Sequence, residues 1–176
     1  MAVTEKKNIW LWKGPGNAPP DIRPFKMAAS QGVLMPGAPV ELNADGLCEL
    51  SDTDDITILG YVIGVVDKST TWPLTAELSA NDEVRVAVVR ANDVYAVYLD
   101  NDDSDAAAPQ TVVGDIIGMR VSSLSGAVGY VTADLNETVA PMFTVVGIAS
   151  NSEPDVYGLT DEPGVALVKH TGTLQG

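Results

Sequence analysis

The sequence predicts an all-β fold: a compact β-barrel or sandwich, built by internal duplication of a small β unit and preceded by an extended N-terminal arm. Three observations carry this. The glycine-broken apolar runs Ile58–Asp67 and Phe143–Ser150 are each followed by a second β-branched run, Val84–Arg90 and Gly164–Lys169. Short valine- and isoleucine-rich runs of this kind, separated by turn residues, mark strands. Four prolines and two glycines between Gly14 and Pro24 exclude a helix there and favour an extended path.

Along the chain, residues 1–28 form the arm, with Trp10, Trp12 and Phe25 set among prolines. Trp10 and Trp12 either pack on the protein's own barrel or anchor into a partner, and sequence does not separate the two. Residues 29–176 form the body, with half-units at about 32–100 and 111–169. In the first, Gly37–Leu42 alternates, Asn43–Gly46 supplies a hairpin turn ending in Asp-Gly, and Leu47–Leu50 returns. Gly60 and Gly64 mark a bulge or tight bend in the next strand. Ala76–Glu83 forms one helical turn or a loop. Val84–Arg90 and Val94–Leu99 are expected to pair around Ala91–Asp93. An acidic linker, Asp100–Pro109, leads to the second half-unit, where Ser122–Gly126 takes the hairpin position.

Bulk properties narrow the function. A chain of 176 residues, 45% hydrophobic, buries roughly two-thirds of its unfolded surface. No apolar run approaches the ~20 residues that span a bilayer, and the first residues lack the apolar core of a secretory signal. The single cysteine, Cys48, forms no internal disulfide and is expected to be a small buried hydrophobe. Net charge is −14, but residues 1–26 carry +3, from Lys6, Lys7, Lys13, Arg23 and Lys26 against Glu5 and Asp21. The body is therefore strongly acidic, which disfavours nucleic acid, while the basic arm suits a negatively charged surface or a second copy of the chain.

The search for reactive groups points away from an enzyme. His170, the only histidine, stands near the C-terminus and is expected to be solvated. No cysteine–histidine cluster suits zinc, and no serine has a recognisable base. Asp100–Asp105 superficially resembles a calcium loop but lacks glycine at the sixth place and glutamate at the twelfth, where Thr111 stands. A solvated acidic loop is expected instead, and no cofactor or metal.

The runs Pro36–Leu42, Ile63–Val66, Val84–Val89 and Asp93–Val97, with Val113–Gly118, Val145–Ile148 and Val165–Val168, resemble the capsid decoration (head cement) proteins of tailed bacteriophages. The likeness covers most of residues 32–169 and lies in small-β patterning; the arm has no counterpart in it. The resemblance implies a homo-oligomeric, trimeric virion protein, made in the host cytoplasm, that binds the outer capsid surface and clamps neighbouring major capsid protein subunits. Lys6, Lys7, Lys13, Arg23 and Lys26 would then steer and orient docking, while Trp10, Trp12 and Phe25 supply affinity. A virion fibre or host-surface glycan adhesion module, binding through loops such as Thr70–Pro73, is the alternative. A small hydrolase with buried carboxylates is the third class.

Overall fold

The computed structural model describes residues 8–14, 18–53, 55–66, 72–101, 106, 110–137, 139–149 and 164–175. The protein is all-β, as its sequence predicts. Its strands are β1 (Trp10–Lys13), β2 (Asp21–Lys26), β3 (Pro39–Leu42), β4 (Cys48–Leu50), β5 (Thr57–Ile58), β6 (Gly60–Val65), β7 (Glu83–Val88), β8 (Val94–Asp100), β9 (Ile116–Leu124), β10 (Ala127–Asp134), β11 (Pro141–Ile148), β12 (Val165–His170) and β13 (Thr173–Leu174). Ala76–Glu83 is a loop running into β7, not a helical turn.

Two units share one strand order. The second is a closed barrel, β8-β10-β9-β11-β12, sealed by β12 returning to β8. The first is a five-stranded sheet, β2-β7-β6-β3-β4, whose ends β2 and β4 meet only at the parallel bridge Met27–Cys48. The barrel repeats each pairing with the same sense. Val40–Gly60 corresponds to Ile117–Phe143, Leu42–Cys48 to Met119–Ala133, and Val62–Val86 to Val145–Val168. The lone bridge Met27–Cys48 corresponds to Leu99–Ala133, one rung of the parallel ladder that closes the barrel.

Even the irregularities match: register slips between Val62 and Gly64 in β6, and between Val145 and Gly147 in β11. Each slip leaves one extra residue, Ile63 or Val146, pushed outward at 40% and 42% exposure. Duplication is thus written in the ladders. The opening strand of each unit, β2 or β8, stands earlier in the chain than the half-unit bounds drawn from sequence.

One expected pairing is overturned. β7 and β8 lie in different sheets, because β6 and β2 take both sides of β7 while β12 takes one side of β8. The corner between them is held by Arg90 and Asp93: the Asp93 amide donates to the Arg90 carbonyl, and the guanidinium binds the buried carboxylate at 2.9 Å. Both predicted hairpin turns are present. At Asn43–Gly46 the Asn43 side chain accepts from the Asp45 and Leu47 amides. At Ser125–Gly126 both residues have positive φ, the requirement of a two-residue turn that follows the sheet twist.

Each unit has its own core. Val40, Leu59, Val62, Val84, Val86, Val88, Met27 and Cys48 fill the first; Val97, Leu99, Ile117, Met119, Val131, Phe143, Val145 and Val168 fill the second. Cys48 is fully buried, as expected. Tyr61 crosses between them. It belongs to β6 of the first unit, yet it packs in the core of the second against Tyr95 and His170.

Candidate docking surface

The N-terminal segment is stitched into both units. β8 offers one edge to two strands: β10 pairs with Tyr98–Asp100, and β1 lies antiparallel along Val94–Ala96. The Asn8 side chain locks the start of β1 into this seam. Its Oδ1 accepts from the Val131 and Ile9 amides, and its Nδ2 donates to the Gly129 and Pro36 carbonyls at 2.7 and 3.0 Å. Ile9 sits in the second core at 5% exposure. The half-buried Trp10 meets Tyr98 edge-on, with centroids 6.0 Å apart, over the cluster of Ala96, Tyr130, Ala149 and Val165.

β2 is placed differently. It pairs along its whole length with β7, and Pro24, which has no N–H, is compatible with an edge position. Phe25 packs against the first core. Arg23 pairs with Asp21 at 2.6 Å, which holds the Asp21 carboxyl below its ordinary range and raises the guanidinium. Lys13 and Lys26 are exposed. The backbone of Trp12 lies in β1, whose register slips between Leu11 and Lys13; Lys6 and Lys7 lie outside the described residues. The structure thus disperses the sequence-predicted residues. Trp10 lies over β8, Phe25 over the first core, and Arg23 and Lys26 on β2.

Sequence reasoning missed the cleft between the units. It measures about 520 Å³ and is walled by Asn8–Leu11 on one side and Met35–Gly37 on the other, with Tyr61, Ile63, Ala87 and Tyr95 also lining it. No lining residue is charged, in a chain with 24 acidic residues. Cross-strand alternation extends this surface along one face, where Ile22, Pro24 and Lys26 of β2 stand opposite Ala87, Arg85 and Glu83 of β7. Ile22 is 48% exposed.

A second hollow, of about 400 Å³, is its electrostatic opposite. Glu41 and Glu49, paired across β3 and β4, meet Asp52 and Asp55 there. Partial burial, followed by repulsion from Asp55, Glu49 and Asp52, raises the Glu41 pKa. Among the described residues, no group of three or more histidine, cysteine, aspartate or glutamate side chains is placed to hold a metal ion.

Two further expectations are corrected. His170 is buried rather than solvated: it ends β12 inside the barrel, its Nε2 2.6 Å from the Tyr61 hydroxyl and its ring among Tyr61, Tyr95 and Phe143. Burial lowers its pKa to about 3. Asp100 is also buried, bonded to Thr132 and 3.6 Å from Arg120, which binds Asp134 at 2.5 Å. The acidic run therefore begins inside the fold, since the guanidinium offsets two neighbouring carboxylates; residues 102–105 lie outside the described residues. Trp72 is partly buried against the first core, and Thr70 and Thr71 are outside the described residues.

The fold and surface together define a class, an all-β protein of two tandem five-stranded units with an uncharged cleft between them. No protein family, curated protein or solved structure gives a significant match to this chain.

Proposed function

We propose that this chain is a structural virion protein that binds the outside of an assembled phage capsid and stabilises it by bridging major capsid protein subunits. One observation supports the reading above the sequence resemblance. The uncharged inter-unit cleft, walled by the N-terminal strand, is continuous with a face carrying Ile22, Arg85 and Lys26. Glu83 stands opposite Lys26 at the rim of that face, and an apolar centre with a charged rim is the arrangement that supplies affinity at the middle and steering at the edge. A ligand that binds only the assembled lattice stabilises that lattice by mass action.

The test is co-sedimentation with expanded and unexpanded capsids lacking the protein. Saturable binding to expanded shells with a raised disruption temperature supports the proposal. Absence of binding to both shells overturns it, and a glycan array then tests the adhesion alternative. Deleting the whole arm is the wrong control, because β2 and Ile9 are parts of the two units. Lys13→Glu with Lys26→Glu reverses exposed charge without touching either core. Weaker binding with a smaller salt dependence is expected.

A further inference from the structure

β1 and β2 each stand at the end of a strand order, and their free edges differ. Antiparallel pairing turns the backbone groups of alternate residues to opposite sides of a strand. The Met27 amide bonds to Asp82 on the β7 side, so the residue three places earlier faces the free side of β2. That residue is Pro24, which has no N–H and so blunts the edge. On β8 the Leu99 amide bonds to Gly164 on the β12 side, so Ala96 faces β1, and Trp10 opposite it turns both backbone groups towards β8. Ile9 and Leu11 therefore turn theirs away. The Ile9 amide is taken by the Asn8 side chain, and its carbonyl stands 3.1 Å from where a Cβ of Gly37 would lie on the opposite wall of the cleft. The N–H and C=O of Leu11, which also lines the cleft, meet no hydrogen-bond partner among the described residues.

We infer that the inter-unit cleft receives an extended, uncharged segment of a partner protein, which adds to the free edge of β1 as a further strand. The backbone argument fixes the form of the occupant: Leu11 offers one donor and one acceptor side by side, the pair that an added strand satisfies. β1 is four residues long, so the matching segment spans roughly 13 Å. Charge complementarity fixes its chemistry. The chain carries 24 acidic residues and a net charge of −14, yet none of its charged side chains lines the cleft. A charged segment would lose its hydration there and gain no counter-charge, whereas apolar side chains would cover Ile63, which is 40% exposed, and Ala87 beside it. This deepens the docking reading by giving the partner's segment a form, and rests on that reading only for where the partner lies.

Panning the full chain against a random linear heptapeptide display library tests it. Enriched peptides should lack charged residues at their centre. On binding they should slow hydrogen exchange of the Leu11 amide and leave that of Trp10 unchanged, since Trp10 already pairs with β8. Ile63→Asp and Ile63→Lys place either sign of charge in the cleft at an exposed bulge residue outside both cores. Each should weaken the enriched peptide at least tenfold. Opposite effects of the two variants would assign the cleft to a charged partner and overturn the inference. So would a library that yields no enriched peptide, or a bound peptide that leaves Leu11 unprotected. Self-association of the wild-type chain that both variants abolish would give the cleft to a second copy and overturn it as well. Capsid binding that survives both variants overturns this inference and leaves the capsid reading standing, whereas a chain that binds the peptide but no capsid overturns the capsid reading alone.

Discussion

The Tyr61 hydroxyl and His170 Nε2 lie 2.6 Å apart in a site closed to water, one from each unit of the repeat. This is the polar contact at the point where the first unit closes the second barrel. Burial raises the Tyr61 pKa and lowers that of His170, so both stay neutral and the pair is a hydrogen bond rather than an ion pair.

The pH dependence follows from linkage. The native histidine has a pKa of about 3, below its unfolded value of about 6.5. Between these values the unfolded chain binds a proton that the native chain does not. The histidine's contribution is therefore complete above pH 6.5 and is lost as pH falls towards 3. From pH 7 to pH 4.5 it amounts to roughly 2–3 kcal/mol. Urea unfolding of the wild type and of the His170→Phe, Tyr61→Phe double variant should show it. The double variant removes both polar partners together, so it should lose less stability over that range. Equal pH slopes would refute the assignment.

Asn8→Ala should detach the N-terminal strand without unfolding the barrels. One side chain serves four backbone partners, at Ile9, Pro36, Gly129 and Val131, and removing it leaves two amides and two carbonyls without that partner. A loss of about 1–3 kcal/mol is expected. Amide exchange at Trp10 and Leu11 should accelerate well before exchange in β11 and β12. Uniform acceleration throughout would mean that β1 is part of the global folding unit.

How much of this was legible beforehand depended on range. Local signals served well: the Asp45-Gly46 turn, the V-x-G bulges at Gly64 and Gly147, and the duplication all follow from neighbours in sequence. Long-range pairing did not. β2 lay hidden in a proline-rich arm because Pro24 argues against a central strand, and only its edge position reconciles the two. β7 and β8 look like a hairpin locally, yet the Arg90–Asp93 corner sends them to different sheets. His170 looked exposed because it is close to the chain end, whereas the alternation of Ala166, Val168 and His170 along β12 was the signal that points it inward. The cleft has no sequence signature, since its lining comes from segments as distant as Asn8 and Tyr95.

Glycines separate strained from open positions. A Cβ at Gly60 would collide with the Ala87 carbonyl and the Val86 side chain, where the neighbouring strand passes closely, whereas one at Gly64 would meet nothing within 4 Å. Gly60→Ala should therefore destabilise by about 3 kcal/mol or more, since backbone must move. Gly64→Ala should be neutral or stabilise by up to about 1 kcal/mol, because alanine restricts the unfolded chain. Thermal melts of both variants check this pair. A severe loss from Gly64→Ala would show that the bulge needs glycine for its backbone.

Cys48 reports on closure of the first unit. It begins β4, meets Met27 at the single parallel bridge between the unit's two end strands, and its carbonyl accepts from the Ala28 amide at 2.8 Å. Burial pushes its thiol pKa up to about 12, so at pH 8 the native protein should hardly react with a thiol reagent. Labelling then requires the β2–β4 junction to open. Because one bridge stands where the second barrel has a three-residue ladder, that opening should cost less than global unfolding. Labelling in mild urea should accordingly precede the loss of the tyrosine near-UV signal from the Tyr61–Tyr95–His170 cluster. Coincident transitions would instead show that the two units unfold together, with Tyr61 transmitting the cooperativity from one to the other.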